Sequence, residues 1–202
     1  MKHFKKPAYL VILGPSGGGK GTQAEKIEEY FGWKHISMGE IFRVEMKKET
    51  DLAKKISKYV NEGKWVPDET TIELLGSVLE KFTDKGFVLD GFPRSATQPA
   101  LLEKWLKSRD ISLDLVLHLD IRPEVIMERR KKVWAEGKSF YEVRRKDETI
   151  EAIKSRFAAY EREIEPILDY YEERKILLRV NAERPIEDIF KEIVQLIEKK
   201  LV

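Results

Sequence analysis

The residues 14–22 read Gly14-Pro15-Ser16-Gly17-Gly18-Gly19-Lys20-Gly21-Thr22 and follow directly on the apolar run 8–13. Glycines allow the main chain to curl around an anion with its N–H groups pointing inward, and a lysine at the end of such a turn reaches the outer phosphates. The order is that of a phosphate loop with one departure. Gly21 occupies the usual hydroxyl position and Thr22 follows it. A turn without function would leave the glycines and Lys20 unexplained. A second group, Asp90-Gly91-Phe92-Pro93-Arg94, follows the apolar residues 87–89. A carboxylate at a strand end beside a phosphate loop can organise the water shell of magnesium, and Arg94 can grip a phosphate as a fork. Gly91 permits close approach of the backbone.

The elements that must hold these groups can be read from hydrophobic pattern. Strand-length apolar runs recur at 8–13, 87–89, 114–119 and 176–180, with a shorter one at His35-Ile36. They are mostly continuous rather than alternating, as in strands covered on both faces. Helical spacing separates them: Ala24, Ile27 and Phe31 share one face, as do Ile186, Ile189, Ile193 and Ile197. Another runs from Ile150 through Ile153, Phe157, Tyr160, Ile164 and Ile167 to Tyr171. Pro166 is expected to kink or restart that segment. Strands alternating with helices predict an α/β fold: a P-loop parallel five-stranded sheet flanked by helices, with ligand at the strands' C-terminal ends. Two polar stretches, 37–66 and 132–145, do not fit simple crossovers and are expected to be excursions from one core domain.

Composition narrows the function classes. The 202 residues suit a single domain. With 38 basic and 36 acidic residues the net charge is only +2, so no overall basic field favours nucleic acid or a membrane surface. The chain has no cysteine, which excludes disulfides, a thiol nucleophile and Cys-ligated zinc. His3, His35 and His118 are too scattered to suggest a metal site by spacing. No apolar run has the length of a membrane span, and residues 1–7 contain no signal-peptide core, so a cytoplasmic enzyme is expected. Asn and Gln occur only at Gln23, Asn61, Gln98, Asn181 and Gln195, against abundant Lys and Glu, a bias similar to that of heat-adapted proteins.

Gly19-Lys20-Gly21-Thr22 together with Asp90-Gly91-Phe92-Pro93-Arg94 resembles the nucleoside monophosphate kinases, most closely the adenylate kinases. The resemblance extends over nearly the whole chain. Residues 35–43 and 63–68 resemble the opening and closing of the family's monophosphate-binding arm, here 37–66. Gln98 follows Arg94 by four, Arg145-Lys146-Asp147-Glu148 and Arg156 resemble the lid arginines, and Pro166 to Tyr171 fits the family's Pro-x-x-x-Tyr-Tyr ending. The resemblance implies that Gly17, Gly18, Gly19, Lys20, Gly21 and Thr22 hold ATP phosphates, with Arg129 and the backbone near Arg184 against the donor adenine. It implies an AMP site of Met38, Arg43, Lys64, Trp65, Val66, Gly91, Phe92, Pro93, Arg94, Gln98, Arg145 and Arg156. Lys20, Arg94, Arg145 and Arg156 would carry catalysis, and Asp90 would hold Mg²⁺ through water. The partners implied are ATP and AMP, with no zinc, no nucleic acid, no membrane and a monomeric chain.

Three positions depart from the family's pattern. Met38 stands where the family usually has Thr, and Val133 occupies a lid-arginine position, so that either Lys131 or Lys132 supplies the charge or the charge is absent. Glu148 replaces an Asp. Arg130 and Arg144 read as solvated helix face. Asp147 and Thr149 are plausible caps for a helix running to Glu165, which would put Arg145 on the flap and Arg156 on the core. A Gln amide can donate to an N1-type acceptor and accept from an exocyclic amine, so Gln98 suits adenine, whereas the family's pyrimidine kinases tend to have Asn there. A UMP/CMP kinase is the alternative within the class. A P-loop ATPase switch protein is the more distant one, disfavoured by the balanced charge.

Overall fold

A computed structural model describes residues 6–61, 66–135 and 150–201. Five strands, β1 (Tyr9–Leu13), β2 (Lys34–Ser37), β3 (Phe87–Asp90), β4 (Leu115–Asp120) and β5 (Leu177–Asn181), form one sheet in the order β2-β3-β1-β4-β5. Every pairing is parallel. The strand order reverses around β1, so a crevice opens at its C-terminal end, where the phosphate loop begins.

The sheet is covered on both faces, which is why its strands read as continuous apolar runs. Successive residues of β1 enter opposite cores. Leu10 and Ile12 pack with Ala24, Ile27 and Phe31 of α1 (Lys20–Phe31) and with Ile189, Ile193 and Ile197 of α8 (Ile186–Leu201). Val11 and Leu13 face Leu74, Leu75 and Leu79 of α4 (Asp68–Leu79), Leu102 and Leu106 of α5 (Gln98–Lys107), and α7 (Ile150–Glu173). Between β2 and α4, the stretch expected to leave the core forms α2 (Met38–Glu45) and α3 (Asp51–Asn61). Helix α6 (Pro123–Ala135) takes in residues 132–135 of the expected flap. Residues 136–149 lie outside the described residues, and with them Arg144, Arg145 and the proposed caps Asp147 and Thr149.

Two expectations need correction. Helix α7 is not restarted at Pro166 but continues past it to Glu173. Ile164, Ile167, Leu168 and Tyr171 are buried around the proline. At about 1.5–3 kcal/mol for each buried side chain, they outweigh the roughly 3 kcal/mol cost of an interior proline. Ile186, grouped by spacing with the buried isoleucines of α8, is 41% exposed. It occupies the first turn, where the helix reaches the rim of the crevice, and its carbonyl accepts a hydrogen bond from Gln23 Nε2 at 3.1 Å.

The start of β3 depends on one glycine. Gly86 has φ +80°, and a Cβ there would lie 2.6 Å from both N and O of Ala8. Its carbonyl accepts from Lys34 N, so this close approach joins β2 and the entry to β1 before the ladder proper begins.

Candidate active site

A cleft of ≈ 930 Å³ opens over the C-terminal end of β1. Its floor is the phosphate loop, where Gly17 (φ +84°) and Gly19 (φ +94°) occupy backbone conformations that side chains resist. Gly19 caps α1 without any side-chain hydrogen bond, so the first N–H groups of the helix face the cleft unmasked by a capping side chain. Lys20 Nζ donates to Pro15 O at 2.9 Å, which holds the ammonium back across the loop.

The walls concentrate positive charge. Lys20, Arg43, Arg94, Arg129, Arg130, Lys132, Arg156 and Arg184 line the cleft, against the carboxylates Asp90, Glu163 and Glu183. Eight cations facing three anions, in a chain of net charge +2, give this cleft a local basic excess. The cations come from α1, α2, the turn after β3, α6, α7 and the turn after β5, so no stretch of sequence displays the group as a cluster.

Several are held in place. Arg94 Nε donates to Gly91 O at 2.7 Å. Arg129 Nη2 donates to Arg184 O at 3.1 Å, and burial lowers its pKa. Arg184 in turn donates to Asn181 O and pairs with Glu192. Glu183 is gripped by Arg122 through two bonds of 2.7 Å, which hold its carboxyl down at about 2. The 181–185 turn that faces Arg129 is therefore tied on both sides.

Asp90 projects from the end of β3 beside Ser37 of β2 and Ile12 of β1. Burial would raise its pKa, but His35, Lys20 and Arg94 outweigh that effect and hold it below the ordinary carboxylate value. His35 Nε2 lies 3.7 Å from Asp90 Oδ2, an ion-pair distance too long for a hydrogen bond. Among the described residues, Asp90 Oδ1 is buried with no hydrogen-bond partner. An ionised, oxygen-only donor with an unsatisfied lone pair next to a phosphate loop fits the outer hydration shell of magnesium. No group of three or more His, Asp or Glu arranged to hold a metal occurs among the described residues.

The cleft brings together residues 17–22, Arg43, Asp90, Gly91, Pro93, Arg94, Arg129, Arg156 and Arg184. Three others expected at the AMP site are core residues: Met38, Val66 and Phe92 are buried in the cluster under α4 and α5. Gln98 is also buried, and its amide is already engaged by Arg94 N–H and Asp68. Lys64, Trp65 and Arg145 lie outside the described residues. Arg130 corrects the expectation of a solvated helix face, because its Nε and Nη2 come within 3.5 and 3.7 Å of where a Cβ on Gly17 would stand. Of the two lysines considered as lid substitutes, Lys132 lines the cleft and Lys131 does not. Tyr160, which the sequence suggested only as a helix-face residue, lines the cleft one turn after Arg156 and bonds His118 Nε2 at 2.7 Å.

The sheet, the glycine loop at its switch point and the arginine-lined cleft define a P-loop phosphotransferase. A family profile described as adenylate kinase matches residues 12–176. Proteins named adenylate kinase from Clostridium novyi and Phocaeicola vulgatus are 36% and 37% identical to it, each over 94% of this chain and 98% of the relative. Another, from Corynebacterium urealyticum, is 38% identical over 89% of this chain and 93% of its own. The chain belongs to the adenylate kinase family, the enzymes that transfer phosphoryl groups between ATP and AMP. No helix among the described residues is long and apolar enough to cross a membrane.

Proposed function

We propose that the cleft carries out the transfer of the γ-phosphoryl group of ATP to AMP through a fixed division of its residues. The backbone of 17–22 and Lys20 hold the donor phosphates. Arg129 stacks on the donor adenine, with the 182–184 backbone against the same base. Arg43 and Arg94 bind the acceptor phosphate, and Gln98 reads the acceptor base. Residues 37–66 are assigned as the monophosphate-binding arm and 132–145 as the short lid, with Arg145 among the residues that serve the transferring phosphoryl group. The enzyme works as a cytoplasmic monomer.

No protein nucleophile is required. A phosphate oxygen of AMP attacks the γ-phosphorus in line, the bond to the β–γ bridging oxygen breaks, and two ADP result. The protein contributes positioning and charge, because the transferring group spreads negative charge over its equatorial oxygens. Lys20, Arg94, Arg145 and Arg156 serve that charge. Asp90 would hold magnesium through water, and the ion, bound with the nucleotide, would neutralise the outer phosphate oxygens. Arg156 on α7 and Arg94 after β3 approach the loop from separate elements, so they can clamp two phosphate chains at once.

The observation that carries this reading is the convergence of Lys20, Arg43, Arg94, Arg129 and Arg156, from five elements, on one cleft above the phosphate loop. A coupled phosphotransfer assay with ATP against AMP, CMP, UMP and GMP tests it. ADP formation should require AMP and magnesium, and the purified protein should carry no stoichiometric zinc. Equal use of CMP or UMP, or ATP turnover independent of AMP, would overturn it.

A further inference from the structure

Asp68, the first residue of α4, collects three side chains from the segment that follows Arg94. Its Oδ2 accepts from Ser95 Oγ at 2.9 Å and from Thr97 Oγ1. Its Oδ1 accepts from Gln98 Nε2 at 2.7 Å. On the other side of the same amide, Gln98 Oε1 accepts the backbone N–H of Arg94 at 2.6 Å. Gln98 is 5% exposed, so these contacts are made away from bulk water.

The two neighbours settle which way the amide faces. A carboxylate only accepts and a backbone N–H only donates, so the Gln98 nitrogen must face Asp68 and its oxygen must face Arg94. Turned over, the amide would set oxygen against carboxylate and N–H against N–H, replacing two hydrogen bonds with two repulsions. The locked amide keeps one N–H and one oxygen lone pair for a third partner. That pair matches a base edge offering a ring-nitrogen acceptor beside an exocyclic amine, as in adenine. A 6-oxo purine offers a ring N–H beside a carbonyl, which is the reverse order and would require the turned amide.

We infer that Asp68 is a positioning residue for acceptor choice: by fixing the orientation of Gln98 it selects 6-amino over 6-oxo purine monophosphates. The inference rests on the reading that Gln98 faces the acceptor base. Cytosine presents the same acceptor–amine order as adenine, so the device separates amino from oxo bases and leaves discrimination by ring size to the rest of the site. A buried polar site rejects a mismatched partner because its own groups are left unpaired. The strength of that rejection depends on the amide being unable to turn.

The test compares kcat/KM for AMP and for IMP, which differ at this edge alone, in the wild type, Asp68→Asn and Gln98→Leu. An asparagine at 68 is nearly isosteric, and its own amide can donate or accept, so the Asp68 half of the lock is lifted and only the Arg94 N–H still opposes turning. The AMP-to-IMP ratio should fall about tenfold or more in Asp68→Asn, through a higher KM for AMP and a lower one for IMP, with KM for ATP unchanged. A merely structural role would depress both acceptors in parallel and leave the ratio intact, and that result overturns the inference. Gln98→Leu separates the two failures. If it keeps the wild-type ratio, Gln98 does not read the base. If it loses the ratio while Asp68→Asn keeps it, only the role of Asp68 falls. Asp68→Ser, which retains a small polar group at the helix start, provides the same comparison should the asparagine variant fail to fold.

Discussion

His118 lies within β4, paired in register with Leu13 of β1 and Arg179 of β5, and its Nε2 is 2.7 Å from the hydroxyl of Tyr160 on α7. Burial lowers its pKa from 6.5 to about 4, with Arg179 acting in the same sense and Asp120 opposing. Burial likewise pushes the Tyr160 phenol well above its ordinary value, so the hydroxyl stays protonated and cannot compensate a charged imidazole. Between the folded and unfolded values the unfolded chain binds more protons than the native state. Stability is therefore complete above about pH 6.5, declines as pH falls toward 4, and loses nothing further from this residue below that. At about 1.4 kcal/mol for each pH unit separating the two values, the full loss is about 3 kcal/mol, of which about 2 kcal/mol has gone by pH 5. The perturbation is His118→Gln, which keeps a hydrogen-bonding side chain and cannot take up the proton. Urea unfolding of both proteins at about pH 7 and pH 5 gives the stability gap between them, and every group common to both cancels from its change. The gap should move by about 2 kcal/mol in favour of the variant on acidification. A gap constant to within about 0.5 kcal/mol would show that His118 is not held neutral by the fold and would refute the argument. Tyr160 lines the cleft one helical turn from Arg156, so the protonation site adjoins the part of the helix that reaches the cleft.

On the proposed division of roles, Arg156→Ala should lower kcat by about a hundred- to a thousandfold, whereas Arg129→Ala should raise KM for ATP with kcat nearly intact, because the first would answer to charge that develops during transfer and the second to a base whose contacts do not change. Steady-state kinetics in ATP and AMP check both, and loss of turnover at saturating ATP in Arg129→Ala would contradict the division. Gly86→Ala should cost about 2–5 kcal/mol of stability, from a left-handed backbone and a Cβ that would stand 2.6 Å from Ala8 N and O. Thermal unfolding reads it out, and a loss under about 1 kcal/mol would mean that the β1–β3 entry yields more readily than its contacts imply.

Much of the architecture was legible because its causes are local. A glycine loop needs no distant residue to mark it, and strands buried on both faces must be apolar at every position, so Leu10, Val11, Ile12 and Leu13 announce their strand without alternation. What the pattern could not assign was the partner of a polar group. His35 and Asp90 are fifty-five positions apart by number and become neighbours only through the parallel pairing of β2 with β3, which places Ser37 opposite Asp90. Arg130 follows Arg129, and successive helical residues point about 100° apart, so which of them overlooks the phosphate loop depends on how α6 is seated. Met38, Val66 and Phe92 sit in motifs that resemble a binding site, yet the fold buries them under it, since a chain segment that approaches a ligand must also be anchored. Pro166 likewise lost its local power to end a helix to the burial of four neighbours. Residue types and short spacings thus determined that this chain binds phosphates and is built as a parallel α/β sheet, because both follow from backbone geometry and local burial. The tertiary structure alone decided which charges face one another across the cleft, because those pairings are made by strand register and helix rotation between residues far apart in the chain.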